Sequence, residues 1–210
     1  MLKKLFIAAT TTLGLIMLVD VNPAQAASLT TTFSSNNGYA GNMFDVTTFG
    51  KELTVTGLDI NVSSSSSLTV NLYTKSGTYV GAQNNPSAWT LVSTNILNSN
   101  AGRDNPTFVD VTDFVLLAES VTAFYIDVGR RINYTNGTAP GHPIFSNDDL
   151  SIATGIGKAP NFGTNFTPRT WNGTIYYEPA STPEPASLLG LFGIGALALT
   201  SLKCKYQEKV

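Results

Sequence analysis

A single histidine limits the hydrolytic chemistry that this chain can perform. A Ser-His-Asp triad would need His142 as its base, and His142 lies in the short segment Pro140-Gly141-His142-Pro143. No GxSxG nucleophile elbow occurs anywhere in the sequence. We therefore expect His142 to be a surface-loop residue rather than a catalytic base.

Paired carboxylates are the other hydrolytic possibility, and they must face each other across a cleft at a defined separation. Residues 27–182 contain eight aspartates and three glutamates, Glu52, Glu119 and Glu178. Nothing in their spacing selects a pair. No catalytic residue is predicted, and a non-enzymatic protein is expected.

Oxygen-rich loops leave calcium as a candidate ligand, since hard cations take clustered carboxylate and amide oxygens. The candidate ligands are Asp104, Asn105, Asp110 and Asp113 in one region, and Asn147, Asp148 and Asp149 in another. Neither region has the spacing of an EF-hand, so solvated loop acids are the competing interpretation. No metal site and no other cofactor is assigned.

Carbohydrate binding would place exposed aromatic rings against the apolar faces of sugars, and Trp89 and Trp171 are the candidate contacts. Large aromatics in β-sandwiches more often fill the core, so burial of both tryptophans is the alternative. The pair Arg130-Arg131 could contact an anionic polymer, or it could simply end a strand in solvent.

Composition argues against nucleic-acid binding. Twelve basic residues against fourteen acidic ones give 12 − 14 = −2, and no basic stripe is present. Threonine (27), serine (18) and asparagine (18) supply 63 of 210 residues, while 42% of the chain is hydrophobic, enough to form a core. The one cysteine, Cys204, excludes a disulfide framework.

The first 26 residues have the pattern of a secretory signal peptide. Lys3 and Lys4 form a positive n-region ahead of an apolar stretch over residues 5–19. Ala24 and Ala26 supply the small residues that signal peptidase requires. Cleavage after Ala26 is therefore predicted.

The carboxyl-terminal segment, residues 183–210, has three ordered parts. Pro183-Glu184-Pro185 comes first, and the prolines keep the backbone extended and accessible. Residues 186–202 follow without a charge, 17 residues that suit a short transmembrane helix. Lys203 and Lys205 then mark a cytoplasmic end. A permanent single-span anchor is the competing interpretation.

This arrangement resembles the PEP-CTERM sorting signal of exopolysaccharide-producing bacteria. The resemblance implies that Pro183, Glu184 and Pro185 are a recognition motif for the membrane enzyme exosortase. It also implies that Lys203 and Lys205 are the basic stop signal and that the helix is a temporary membrane attachment. Cleavage near the motif would release or transfer the protein outward.

Period-two hydrophobic patterns dominate the central module, residues 27–182. Leu53 and Val55 share one phase and Leu58 and Ile60 share the other, a flip at Gly57 that predicts a β-bulge. Further strands are predicted near residues 68–72, 89–91, 108–111, 121–128, 150–152 and 171–177, the last with a tight bend at Asn172-Gly173.

No helical periodicity appears in this module, and the predicted fold is an antiparallel, jelly-roll-like β-sandwich. A signal helix precedes it and a transmembrane helix follows it. Segments between residues 40 and 130, among them Gly41-Asn42-Met43-Phe44-Asp45-Val46 and Ala88-Trp89-Thr90-Leu91, are similar to a recurrent secreted bacterial β-sandwich module without an established activity.

These observations predict an exported, non-enzymatic protein of the cell surface or extracellular matrix with a structural or adhesive role. Its expected partners are signal peptidase, exosortase, the membrane through a transient helix, and extracellular polysaccharide, but no nucleic acid. A carbohydrate-binding module is the alternative function.

Overall fold

The computed structural model describes residues 26–180, which form an all-β sandwich of antiparallel strands. The predicted fold class is confirmed at this level, and the predicted signal and transmembrane helices lie outside the described residues. A turn of 3-10 helix at Pro86–Ala88 is the sole helical element in residues 26–180. The strands are β1 (Ala27–Thr30), β2 (Asn37–Thr48), β3 (Leu53–Asn61), β4 (Leu68–Ser76), β5 (Thr90–Leu97), β6 (Pro106–Leu116), β7 (Val121–Asn136), β8 (Ile144–Ser146), β9 (Leu150–Ala153), β10 (Gly155–Lys158), β11 (Asn165–Trp171) and β12 (Gly173–Pro179).

Two sheets face each other across the main core. The smaller sheet has the order β1-β12-β3-β6, and the larger has the order β5-β4-β7-β11-β10-β2-β9-β8. In addition, β7 pairs directly with β2. β10 pairs with β2 and with β11, and β11 pairs with β7. The four strands β2, β7, β11 and β10 therefore form a closed ring of paired neighbours.

Alternation along the strands builds the main core as predicted. Leu53, Val55, Leu58 and Ile60 are all buried. Between Val55 and Gly57, β3 advances by two residues while its neighbour β12 advances by one, from Tyr177 to Tyr176, so the bulge predicted from the phase flip is confirmed. One extra residue there lets both halves of β3 point their apolar side chains inward.

The larger sheet is covered on its other face as well, by a second apolar cluster. Met43 and Tyr125 point away from the main core and pack against Tyr79, Trp89 and Phe162, which come from two long loops. Both faces of β2 and β7 are therefore dry, and their residues do not alternate between apolar and polar. This explains why β2, with Gly38, Gly41 and Asn42 in its sequence, gave no strand signal.

The chain passes from one sheet to the other at Asn172. Trp171 ends β11 in the larger sheet and Gly173 begins β12 in the smaller one. The tight bend predicted at Asn172-Gly173 falls at this crossing between sheets, and the two strands that it joins share no ladder. The crossing needs Gly173, because a Cβ there would lie 2.1 Å from the Trp171 ring.

The length of β3 measures the distance between the two ends of the sandwich. Ala27 pairs with Tyr177, so the described chain enters and leaves at one end. β3 runs from that end, at Leu53, to the opposite end, at Asn61. Eight residue steps in an extended strand cover about 26 Å, which separates the ends.

A buried lysine ties the loops over the second cluster to the sheet. Lys158, at the end of β10, is 0% exposed. Its ammonium donates to the Gln83 carbonyl at 3.0 Å and to the Asn84 side-chain oxygen at 2.9 Å. It also donates to the Gly163 carbonyl and the Asn165 side-chain oxygen. Burial lowers the pKa of Lys158 to about 8, so the ammonium remains the major form at neutral pH.

Replacing Lys158 by methionine removes the ammonium, keeps a flexible apolar stem that is one atom shorter, and leaves four oxygen acceptors without their donor. We expect Lys158→Met to lower the free energy of unfolding by about 2 kcal/mol or more, measured by urea denaturation.

Lys75→Met is the matched control, because Lys75 donates to the carbonyls of Ser76 and Thr78 at the surface. It should change the free energy of unfolding by less than about 0.5 kcal/mol. Equal losses in the two variants would contradict a clamping role for Lys158.

Candidate arginine-lined binding groove

A large bulge in β7 lies at the end of the sandwich opposite Ala27 and Pro179, where the described chain enters and leaves. β7 pairs with β2 at Ile132↔Tyr39 and next at Asp127↔Gly41. Between these pairs β7 advances by five residues while β2 advances by two. Three residues of the segment 128–131 are therefore in excess and are extruded from the ladder.

Backbone conformation turns this bulge into a projecting loop. Gly129 and Arg131 have φ of 69° and 68°, a left-handed conformation that non-glycine residues seldom adopt. The Asp127 carboxylate accepts a hydrogen bond from the Gly129 amide at 2.8 Å and fixes the start of the loop. Arg130 and Arg131 are exposed as a result.

Three adjoining depressions surround the bulge. The central one has a volume of about 460 Å³ and the flanking ones about 440 Å³ and 260 Å³. Ser63, Arg130 and Arg131 line both the central depression and the larger flanking one. The segment 37–39 lines both the central depression and the smaller one. The three depressions therefore adjoin one another around the bulge.

All four arginines of the chain line this surface, which we call the arginine groove. Arg103 lies in the central depression, Arg130 and Arg131 lie between two depressions, and Arg169 lies in the smaller one. Among residues 26–180, no lysine and no carboxylate lines any of the three depressions, although the Asp104 carboxylate lies beside Arg103. The local charge is therefore positive, although residues 27–180 carry 7 − 11 = −4 overall.

Most of these guanidinium groups contact uncharged partners through hydrogen bonds or a cation–π interaction. Arg103 donates to the Ser35 hydroxyl at 3.0 Å and to the Ser35 carbonyl at 2.9 Å. Arg130 donates to the Ser66 hydroxyl at 3.2 Å. The Arg169 guanidinium carbon lies 5.8 Å from the centre of the Tyr134 ring. These contacts orient the side chains. Arg103 also pairs with the Asp104 carboxylate, whereas Arg130, Arg131 and Arg169 form no salt bridge among residues 26–180.

Asp104 fixes the loop that carries Arg103. Its carboxylate accepts hydrogen bonds from the Ser35 amide, at 2.9 Å, and from the Ser35 hydroxyl. It also accepts one from the Asn61 side chain at 3.0 Å. These donors favour the ionised form and lower the pKa of Asp104 to about 2. Its second oxygen lies 3.7 Å from Arg103.

An exposed aromatic side chain borders the groove, but it is not one of the predicted tryptophans. Tyr39 is 49% exposed, and its ring meets the Phe166 ring edge-on with centroids 5.6 Å apart. Trp89 and Trp171 are only 8% and 1% exposed. The predicted carbohydrate contact through Trp89 and Trp171 is therefore wrong, because their rings fill the two apolar clusters and offer no face to solvent.

The other candidates for chemistry are dispersed. His142 is exposed in a loop, as expected, and no hydrogen bond joins its imidazole to a serine or an acid among residues 26–180. In the same part of the chain, no three His, Cys, Asp or Glu side chains are grouped as a metal site requires. Asp149 pairs with Lys51 at 2.8 Å, and Asn147 caps the same loop through the Asp149 amide.

Sequence reasoning found part of this groove. Arg130-Arg131 was a candidate for contact with an anionic polymer, whereas Arg103, Arg169 and the serine loop 63–66 were not assigned to any site. The available signal was compositional, since the chain has only four arginines and two are adjacent. No local pattern shows that the other two meet them, because the contacts span β2, β7 and β11.

The targeting residues lie almost entirely outside the described residues. This holds for Ala24, for Pro183, Glu184 and Pro185, and for Lys203 and Lys205. Ala26 is exposed directly ahead of β1. Within residues 26–180 the structure contains no helix of the length and apolarity needed to cross a membrane.

Comparison of the chain with protein-family models gives no match, and comparison with curated proteins gives no significant similarity.

Asp104 should make stability depend on acid pH. Its pKa in the folded protein is lower than in the unfolded chain, so its contribution is complete above about pH 4 and is lost as pH falls towards 2. We expect the midpoint of thermal unfolding to fall over this range, and Asp104→Asn to flatten the dependence. Asp110→Asn, at an exposed position of β6, should leave it unchanged; identical profiles in both variants would contradict the assignment.

Proposed function

We propose that this chain is an exported, non-enzymatic protein of the cell surface or extracellular matrix, with a structural or adhesive role. Signal peptidase would act after Ala26, and exosortase would recognise Pro183, Glu184 and Pro185. The apolar helix over residues 186–202 would attach the precursor to the membrane only transiently. We also propose that the sandwich is of the jelly-roll type.

The position of the arginine groove is the observation that carries this proposal. The described chain begins and ends at one end of the sandwich, about 26 Å along β3 from the end that carries the groove. A module attached through the segment after residue 180 would present the groove away from its attachment. Cleavage after Ala26 would also leave β1 intact, since β1 begins at Ala27.

Polysaccharide binding is the second candidate function, and the groove supports it through residues other than Trp89 and Trp171. It offers guanidinium groups, serine hydroxyls and asparagine amides to a ligand rich in oxygen. Tyr39 supplies an exposed ring beside them. Adhesion through such a surface requires no catalytic residue.

Replacing Glu184 by alanine should block sorting, because the substitution removes the charged group of the motif. We expect the Glu184→Ala precursor to accumulate in the membrane fraction while the unaltered protein is released. Cell fractionation, with mass spectrometry of the secreted form, provides the measurement. The released chain should lack Lys203.

Glu208→Ala is the matched control, since it removes a carboxylate from the same terminal segment outside the motif. It should be released normally. Release of Glu184→Ala at the normal level, or a secreted chain that retains Lys203, would contradict sorting by exosortase.

A further inference from the structure

We propose that the arginine groove binds a linear polysaccharide that carries carboxylate groups. This inference rests on the proposed function and narrows the ligand from extracellular polymer in general to one chemical class. Arginine presents a planar fork of donors that matches a carboxylate in two parallel hydrogen bonds. Arg130 and Arg131 offer this fork at exposed positions, and Arg103 and Arg169 add positive charge to the same surface.

The order of the depressions suits an extended chain. The serine loop 63–66 lies at one end, Arg130 and Arg131 follow, and Tyr39 and Arg169 lie at the other end. A polymer lying along this path would meet at least one guanidinium group in each depression. Each depression is open to solvent in the part of the chain that the structure describes, which allows a long chain to enter from the side and continue beyond the site.

The lining between the arginines matches the neutral part of a sugar. Serine hydroxyls and asparagine amides both donate and accept hydrogen bonds, as sugar hydroxyls do. Ser63, Ser64, Ser65 and Ser66 line one depression, and Asn36, Asn37 and Asn133 line the central one. The exposed Tyr39 ring, supported edge-on by Phe166, can cover the apolar face of a sugar ring.

The strained bulge gives a reason why this surface is rigid enough to bind. Arg131 is held in a left-handed conformation, with φ of 68°, and the adjoining residues of β7 are locked in the ladder with β2. Asp127 and Asp104 secure the two loops that carry Arg130 and Arg103. Little ordering would accompany binding, and pre-organisation of this kind improves affinity.

Charge density favours a carboxylated polysaccharide over a nucleic acid. DNA carries one charge per roughly 1.7 Å of axis and is bound through extended basic surfaces. This module has a net charge of 7 − 11 = −4, and its lysines Lys51, Lys75 and Lys158 do not line the groove. A polymer with a single carboxylate on each sugar matches four spaced arginines and meets less repulsion from the rest of the module.

The test measures binding of the full chain, purified in detergent, to immobilised polygalacturonate at low ionic strength. We expect saturable binding, and we expect the same polymer after chemical reduction of its carboxyl groups to bind at least about tenfold more weakly. The Arg130→Gln/Arg131→Gln variant should lose about tenfold or more in affinity and should show a weaker dependence on salt.

Lys51→Gln/Lys75→Gln is the matched control, since it also removes two positive charges but lies outside the groove. Its affinity should change by less than about twofold. Circular dichroism and the unfolding midpoint establish that each variant folds. Arg130→Gln alone, at a residue without the left-handed backbone of Arg131, provides a second variant with an expected loss of about threefold.

Several outcomes would overturn the inference. They are equal binding of the carboxyl-reduced polymer, unchanged affinity of Arg130→Gln/Arg131→Gln, preferential binding of dextran sulfate over polygalacturonate, and displacement of polygalacturonate by DNA at equal charge concentration. A chain that is sorted normally and binds a neutral polysaccharide would retain the proposed function while this inference fails. A chain that binds polygalacturonate as expected but is never released from the membrane would support this inference and contradict the proposed sorting.

Discussion

The pairing of β2 with β7 is the constraint on which the rest of the structure depends. Both strands are covered by apolar side chains on both faces, so their backbone groups have no water and must bond to each other. Additional residues cannot be absorbed within such a ladder. The three surplus residues of β7 are therefore expelled where the covered region ends, and this places Arg130 and Arg131 at the surface.

Because loops cover the outer face of the larger sheet, these loops must be fixed in place. Apolar contact is supplied by Trp89 and Phe162, and Lys158 adds hydrogen bonds to oxygens from two loops. Polar but uncharged residues provide most of these partners, which agrees with the abundance of asparagine, serine and threonine. In a module with so few charges, four arginines at one end dominate the local electrostatic field.

The phase flip at Gly57 predicted a real bulge in β3, and the strand predicted near residues 121–128 lies within β7. Both β2 and β7 are buried on two faces. β7 was predictable because residues 123–126 form an unbroken apolar run, whereas Gly38, Gly41 and Asn42 interrupt the apolar residues of β2. Arg103 and Arg169 were also missed, since they join the surface that carries Arg130 and Arg131 only through segments far apart in sequence.

Local pattern alone specified the all-β class, the bulge in β3 and the segments that resemble targeting signals, because each depends on residues that are neighbours along the chain. The fate of Trp89 and Trp171, the sheet crossing at Asn172 and the gathering of four arginines depended on tertiary structure. Burial and long-range register are properties of the folded whole, because the residues next to a tryptophan in the sequence do not determine whether its ring is buried or exposed. Only the packing of two sheets and their covering loops distinguishes them.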